Sequence, residues 1–336
     1  MAKLSDVVAK IDMAAGILFS ANAAVRSVGV GRAPDGFGYV AVRNKNAPVA
    51  FAGGVREVPP SIEGIPVRIV DSSRDPQSLV RIPHSGVGSP ATLSFMPEQQ
   101  RHRPLVCGLQ IQNYDQDDRS GDLRKGLMIV GTLGCFVRLA NGDVAILSNN
   151  HVLAGENKGQ RGKDAILQQG GAAKTNTVAE LTDFIDLKDS PAGTAPSTSN
   201  VIWNEVDAGV AQVRSGVAHQ QAYLPARLAP PPSGTAAAAV GDKVHKVGRT
   251  TGLTYGEITQ IAVQVSINYA PGLCWFRDCM VIEGLNGTTF ADHGDSGSAI
   301  LRDDGTVLGL LFAGTDSQTY ACDIGHVLNQ LNCTMA

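Results

Sequence analysis

The stretch from Phe290 to Ser298 holds a hydroxyl at Ser296, with Gly294 and Asp295 before it and Gly297 directly after it. Acyl transfer needs a nucleophile on a tight, glycine-flanked turn, so that main-chain N–H groups can converge on a developing oxyanion. Glycine at 294 lets the backbone adopt such a turn, and the N–H groups of Gly294 and Ser296 are the candidate oxyanion donors. A plain Asp-Ser-Gly turn between strands reads the same way locally. A second candidate is His151, which follows the apolar run Ile146-Leu147 across the polar step Ser148-Asn149-Asn150. Imidazole is the side chain best suited to proton abstraction near neutral pH, although a lone histidine at a strand end is usually a surface residue. The third is Asp207, set among Val206, Ala208, Gly209 and Val210. An acid in apolar surroundings is costly unless paired, and accepting the second N–H of the histidine would pair it and set the tautomer. Asp186 is the rival acid, but its more charged surroundings suit a solvated turn.

Singly, each signal has an ordinary structural explanation. Together they run His151, Asp207, Ser296, one of the known orders of a hydrolytic triad, with gaps long enough to put each group on its own strand or loop. Other motifs fail on their own terms. Gly29-Val-Gly31 lacks the third glycine of a dinucleotide loop, and Gly170-Gly-Ala-Ala-Lys-Thr175 lacks the glycine before the lysine of a phosphate loop. His84, His102, His219, His245, His293 and His326 show no metal-ligand spacing, and no C-x-x-C pair is present. His293 adjoins the serine and is a candidate cleft residue. No cofactor and no metal are expected.

Positioning three distant side chains calls for a rigid frame, and the composition favours a β-rich one. Of 336 residues, 43% are hydrophobic, 18% charged and only 5% aromatic, with 38 glycines. That is enough apolar material for a packed core and many tight turns. A net charge of −3 gives no attraction for nucleic acid, and no run approaches the ~20 apolar residues of a membrane span. Leu4, Val7, Val8, Ile11, Ala15 and Leu18 recur at helical spacing, so the first residues read as an amphipathic helix rather than a secretion signal. With six sparse cysteines, this points to the cytoplasm. Whether Cys274 and Cys279 join stays open.

Short apolar runs at 27–31, 38–42, 48–52 and 65–70 follow the helix and suggest a small α/β domain over 1–84. A Gly-, Ser-, Pro- and Gln-rich linker spans 85–103. From 104 to 336 short β-like segments recur at 132–137, 144–147, 206–213, 243–247, 258–265, 280–283, 298–301 and 307–312, broken by a Pro-rich connector at 228–239. Ile324–Leu331 reads as a closing helix.

The region from about 104 onwards resembles the trypsin/chymotrypsin-like (S1-type, PA clan) serine protease domain. Leu147-Ser-Asn-Asn-His151 resembles its histidine motif, Gly294–Ser298 its serine motif, and Gly309-Leu-Leu-Phe-Ala-Gly314 the strand on which substrate backbone pairs. More narrowly, Gly131-Thr-Leu-Gly-Cys135 and Gly248-Arg-Thr-Thr-Gly-Leu253 resemble bacterial relatives of the plant NAL-type trypsin-like proteases. Those also carry a small N-terminal domain with a Val-Gly-Val-Gly strand, matched at Val28–Gly31. The resemblance implies a mainly β fold with two six-stranded barrels of chymotrypsin type, the first over about 104–227 and the second, with the closing helix, over 240–336. It implies a serine endopeptidase acting on a protein or peptide, with Phe290, Phe312 and Gly314 near the pocket for the residue before the cut. No acid stands at the pocket floor, so an apolar or small residue is expected there. The chain departs from secreted trypsins in having Val152-Leu153 after the histidine and Ser298 for a glycine. With about 100 residues ahead of the domain, no freed N-terminus is at hand to pair Asp295, and Arg249 is the expected partner. A gated or inactive protease-fold scaffold is the alternative, a homo-oligomer is left open, and the N-terminal domain has no assigned role.

Overall fold

The computed structural model describes residues 2–22, 24–47, 57–79, 81–83, 96–115, 127–169, 174–196 and 200–336. The strand expected at 48–52 and most of the linker expected at 85–103 lie outside these residues. The fold is mainly β and consists of two curled sheets, a double barrel of chymotrypsin type.

In the first sheet, strands Cys135–Leu139, Val144–Ser148, Gly209–Val213, Thr177–Phe184, Ala165–Gln168, Gln110–Asn113 and Gly131–Thr132 follow one another in that spatial order. The apolar positions expected at 132–137 and 144–147 become Cys135, Phe136, Val137, Ala145, Ile146 and Leu147, all buried in one core. A last strand, Cys333–Met335, pairs antiparallel with Cys135–Leu139, so the segment after the closing helix returns to the first barrel.

The second barrel closes on itself. Strand Gly252–Asn268 pairs with Lys243–Gly248 on one side and with Leu273–Gly284 on the other. The ring is completed through Thr319–Asp323, Val307–Gly314 and Ala299–Arg302. Closure leaves these six strands without a free edge among themselves. The helix Ile324–Gln330 follows, and Asp323 caps it by accepting from the N–H groups of Gly325 and His326.

The N-terminal residues do not form the separate unit that composition suggested. Helical spacing resolves into two helices, Leu4–Val8 and Ile11–Ala21. Strand Val25–Ala33 pairs antiparallel with Gly252–Asn268, and Gly36–Asn44 and Ile65–Ser72 extend the same sheet. The physical reason is the length of the 252–268 strand. It overruns the barrel and its register shifts repeatedly, so it offers pairing surface to a third neighbour. Val7, Ala14, Ala15, Leu18 and Phe19 share a core with Trp275 of the second barrel, and the Phe19 and Trp275 rings meet edge-on at 5.0 Å.

Because that core is shared, Phe19→Ala is expected to destabilise the whole chain by about 3–5 kcal/mol within one cooperative transition. Urea unfolding followed by tryptophan fluorescence checks it. An early separate transition for the N-terminal residues would contradict the shared core.

Candidate active site

The register of the first barrel brings the histidine and the acid together. Ser148 lies opposite Gly209 and Leu147 opposite Val210 in an antiparallel pair. Chain leaving one strand at 149–151 therefore runs beside chain entering the other at 206–208. His151 sits in the short helix Asn150–Leu153, fixed by two asparagines. Asn149 Nδ2 donates to the Asp207 carbonyl at 2.7 Å, and Asn150 Nδ2 donates to the Ile185 carbonyl at 2.7 Å. The Asp207 carboxylate accepts from the main-chain N–H of His151 at 3.2 Å and makes a short contact with its Nδ1. Tyr269 completes the shell, its hydroxyl donating to Asp207 Oδ2 at 2.6 Å. Burial and then the Asp207 charge hold the Tyr269 phenol well above its ordinary pKa, so it remains a donor.

All the donors around Asp207 suit an ionised carboxylate, which assigns the hydrogen to His151 Nδ1. Nε2 is then an acceptor, and among the described residues it has no hydrogen-bond partner although it is fully buried. Asp186 lies elsewhere, half of an exposed pair with Arg161.

Ser296 is delivered from the second barrel. Gly294 and Gly297 both have positive φ, +98° and +89°, and a side chain at 297 would collide with Ser148 and the Thr132 carbonyl. Gly297 N–H donates to the Leu311 carbonyl at 2.8 Å, anchoring the turn to strand Val307–Gly314. Thr132 of the first barrel donates its N–H to the Ser296 carbonyl at 2.8 Å and its hydroxyl to the Gly294 carbonyl at 2.9 Å. The His293 carbonyl is held by the Thr250 hydroxyl at 2.6 Å. In a planar trans peptide the C=O and the following N–H point opposite ways, so this bond aims the Gly294 N–H inward. The Ser296 hydroxyl donates to the Phe312 carbonyl at 3.4 Å rather than to His151.

Asp295 does not pair with Arg249. The Arg249 guanidinium donates to Gln110 Oε1 at 2.6 and 2.9 Å, and burial lowers its pKa to about 10. The ion pair is instead Lys246 Nζ to Asp295 Oδ2, 3.4 Å, between two fully buried side chains. Asp295 also accepts from the N–H groups of Asp292, Thr250 and Thr251 and from the Thr251 hydroxyl at 2.6 Å. Strand alternation turns Lys246 into the barrel, whereas Arg249 lies past the end of its strand and reaches across to the first barrel. Burial lowers the Lys246 pKa, and Asp295 opposes that shift.

Of the expected pocket residues, Phe290 and Gly314 border one apolar site and Phe312 does not. The Phe312 ring packs on Phe276 in the main core with centroids 4.8 Å apart, so Phe312 offers the site only its carbonyl. Phe290, Ala291, Met280, Ile282 and Leu311 share a cluster with Leu79, a residue that the sequence did not flag. A side chain at Gly314 would crowd Leu79 Cδ1 at 3.1 Å. His293 borders an open cavity of about 420 Å³ with Ser78 and Tyr269. The six cysteines are buried free thiols, Cys274 and Cys279 included. His326 stands beside Glu205 and Asp278, whose carboxylates pair with Arg277. Among the described residues no helix is long and apolar enough to cross a membrane.

The fold is that of the chymotrypsin-like serine proteases. Within it, residues 233–330 match the family model of the Nal1 C-terminal domain, in keeping with the resemblance to NAL-type relatives. Among solved structures the chain is similar to Thermobifida fusca protease A, at 15% identity over 69% of this chain and 97% of that one, with a TM-score of 0.46. It is also similar to Nocardiopsis protease, at 16% identity over 68% and 97% with a TM-score of 0.46. Cellulomonas bogoriensis chymotrypsin is similar at 18% identity over 69% and 97%, with a TM-score of 0.44. No curated protein matches the chain.

Removing one partner of a buried ion pair strands the other. Lys246→Ala is therefore expected to cost about 3–5 kcal/mol in urea unfolding, with much of it recovered in Lys246→Met/Asp295→Asn. Arg249→Ala, which leaves that pair intact, is expected to cost less.

Proposed function

We propose that the chain is a serine endopeptidase that cuts peptide bonds through an acyl-enzyme. The observation carrying this reading is a buried imidazole whose Nδ1 meets a carboxylate while its Nε2 is left unpartnered, in a domain that also sets a serine on a glycine-flanked turn. Ser296 Oγ attacks the scissile carbonyl and passes its proton to His151 Nε2. Asp207 stabilises the resulting imidazolium and keeps the ring oriented. The Gly294 and Ser296 N–H groups receive the oxyanion. His151 then protonates the leaving amine, and water repeats the sequence on the ester. Attack requires the Ser296 hydroxyl to leave the Phe312 carbonyl, a change of one side-chain rotamer.

The apolar site around Phe290 and Gly314 supports an apolar residue before the cut. Tyr269 acts as a positioning residue through Asp207. The second main-chain oxyanion donor, the Ser296 N–H, belongs to the same turn. Protein or peptide is the substrate class, with no cofactor in the chemistry. Buried free thiols in all six positions support a reducing, cytoplasmic setting.

A fluorophosphonate is expected to label Ser296 on prolonged incubation, with the adduct located by peptide mass spectrometry, and Ser296→Ala is expected to abolish labelling. Asp207→Asn, which disturbs the tautomer with little change of shape, is expected to slow turnover by about 10⁴-fold. A folded wild-type chain that no fluorophosphonate labels, with or without substitutions that open the cleft, would sink the proposal.

A further inference from the structure

Ser296 and His151 are both fully buried, although a hydrolase must show them to its substrate. The covering is the chain itself. Gln77–Ser78 forms a short strand antiparallel to Val307–Gly314, with Gln77 opposite Gly314 and Ser78 opposite Ala313. One step further along this register, Leu79 falls opposite Phe312, the residue whose carbonyl accepts from the Ser296 hydroxyl. The Leu79 side chain is 1% exposed in the apolar site with Phe290. Its carbonyl accepts a short hydrogen bond from the Gly294 N–H, the donor that the Thr250–His293 contact aims inward.

Arg81–Pro83 pairs antiparallel with Leu127–Ile129, just ahead of the first-barrel strand that holds Ser296 through Thr132. One segment thus pairs with the second barrel before residue 80 and, after it, with a short strand that leads into the first barrel. Extended peptides bind sheet edges in this way, with main-chain bonds giving hold and alternate side chains filling pockets. Upstream, three anchors fasten the segment to the same strand end. Asp316 accepts from the Ser72 hydroxyl at 2.7 Å and from Ser73, and Arg74 Nη2 donates to the Thr315 carbonyl at 2.8 Å.

We propose that residues 77–79 are an internal substrate strand seated in the peptide cleft, with Leu79 in the pocket for the residue before the cut and its carbonyl presented to Ser296. This rests on the endopeptidase reading. It names the substrate as an extended peptide with leucine before the scissile bond. It also makes any outside substrate compete with the chain's own strand.

The test compares the full chain with Leu79→Asp, Leu79→Met and Asp316→Ala. The last loosens an anchor without entering the apolar site, so it serves if Leu79→Asp fails to fold. The readout is the rate of fluorophosphonate labelling at Ser296, followed by intact mass. Leu79→Asp is expected to label at least tenfold faster than wild type, as follows if the strand fills the cleft about 90% of the time. Asp316→Ala is expected to speed labelling severalfold, and Leu79→Met to match wild type. A synthetic peptide of residues 74–83 is expected to slow labelling of Leu79→Asp, and the same peptide with Asp at 79 is not. Hydrolysis after Leu79, with water completing the Leu79 carboxylate and Val80 keeping the amine, would give fragments 1–79 and 80–336 and supports the same seating. Equal labelling of wild type, Leu79→Asp and Asp316→Ala, with no effect of the peptide, overturns the internal strand and leaves the endopeptidase standing. Folded variants that none label remove the endopeptidase reading, and this inference with it.

Discussion

A buried carboxylate organises the molecule. Asp207 has no exposure, and a charge in that position is tolerable only where hydrogen-bond donors replace water. Its donors are the two N–H groups of His151 and the Tyr269 hydroxyl, with Tyr269 supplied by the second barrel. Satisfying Asp207 therefore obliges the two barrels to meet at one point, and that point carries the imidazole. The same demand keeps the imidazole's far nitrogen free to accept a proton. What the fold needs for the burial of one charge is also what the proposed chemistry needs.

A second buried acid works differently. Asp295 neighbours Ser296, yet it is spent on shape: Lys246, Thr250 and Thr251 hold it, and the same loop turns the His293 carbonyl away. Thr132 ties this loop to the serine turn, since it accepts from the Arg249 N–H at 3.1 Å while donating to the Gly294 carbonyl. The direction of a single N–H at Gly294 is over-determined by these contacts. A charge buried for geometry tolerates its desolvation because several donors share it.

Much of this was legible in the residues. Local pattern gave strands at 144–147 and 206–213, and their antiparallel pairing in the fold brings His151 and Asp207 together. The glycine-flanked serine turn needs its glycines for reasons visible at positions 294 and 297. Three things were not legible. Lys246 carried no signal of its role, because its pairing with Asp295 depends on barrel closure, which no local window reports. The N-terminal strands looked autonomous because their partner is the overrun of a strand more than two hundred positions away. The seating of Leu79 depends on contacts with 294 and 313–314, and a leucine in a short Gln-Ser-Leu-Val stretch carries no signature of such a role.

Strand Cys333–Met335 carries a consequence for how the molecule is made. It forms the outer edge of the first barrel, yet it is synthesised after every strand of the second. During translation the first barrel waits with an unpaired edge along Cys135–Leu139 until the ribosome has finished both lobes. A nascent chain thus holds His151, Asp207 and Ser296 before Cys333–Met335 can pair with the first barrel. Strand Cys333–Met335 acts as a latch on the first barrel that comes into being only after the second barrel has been made.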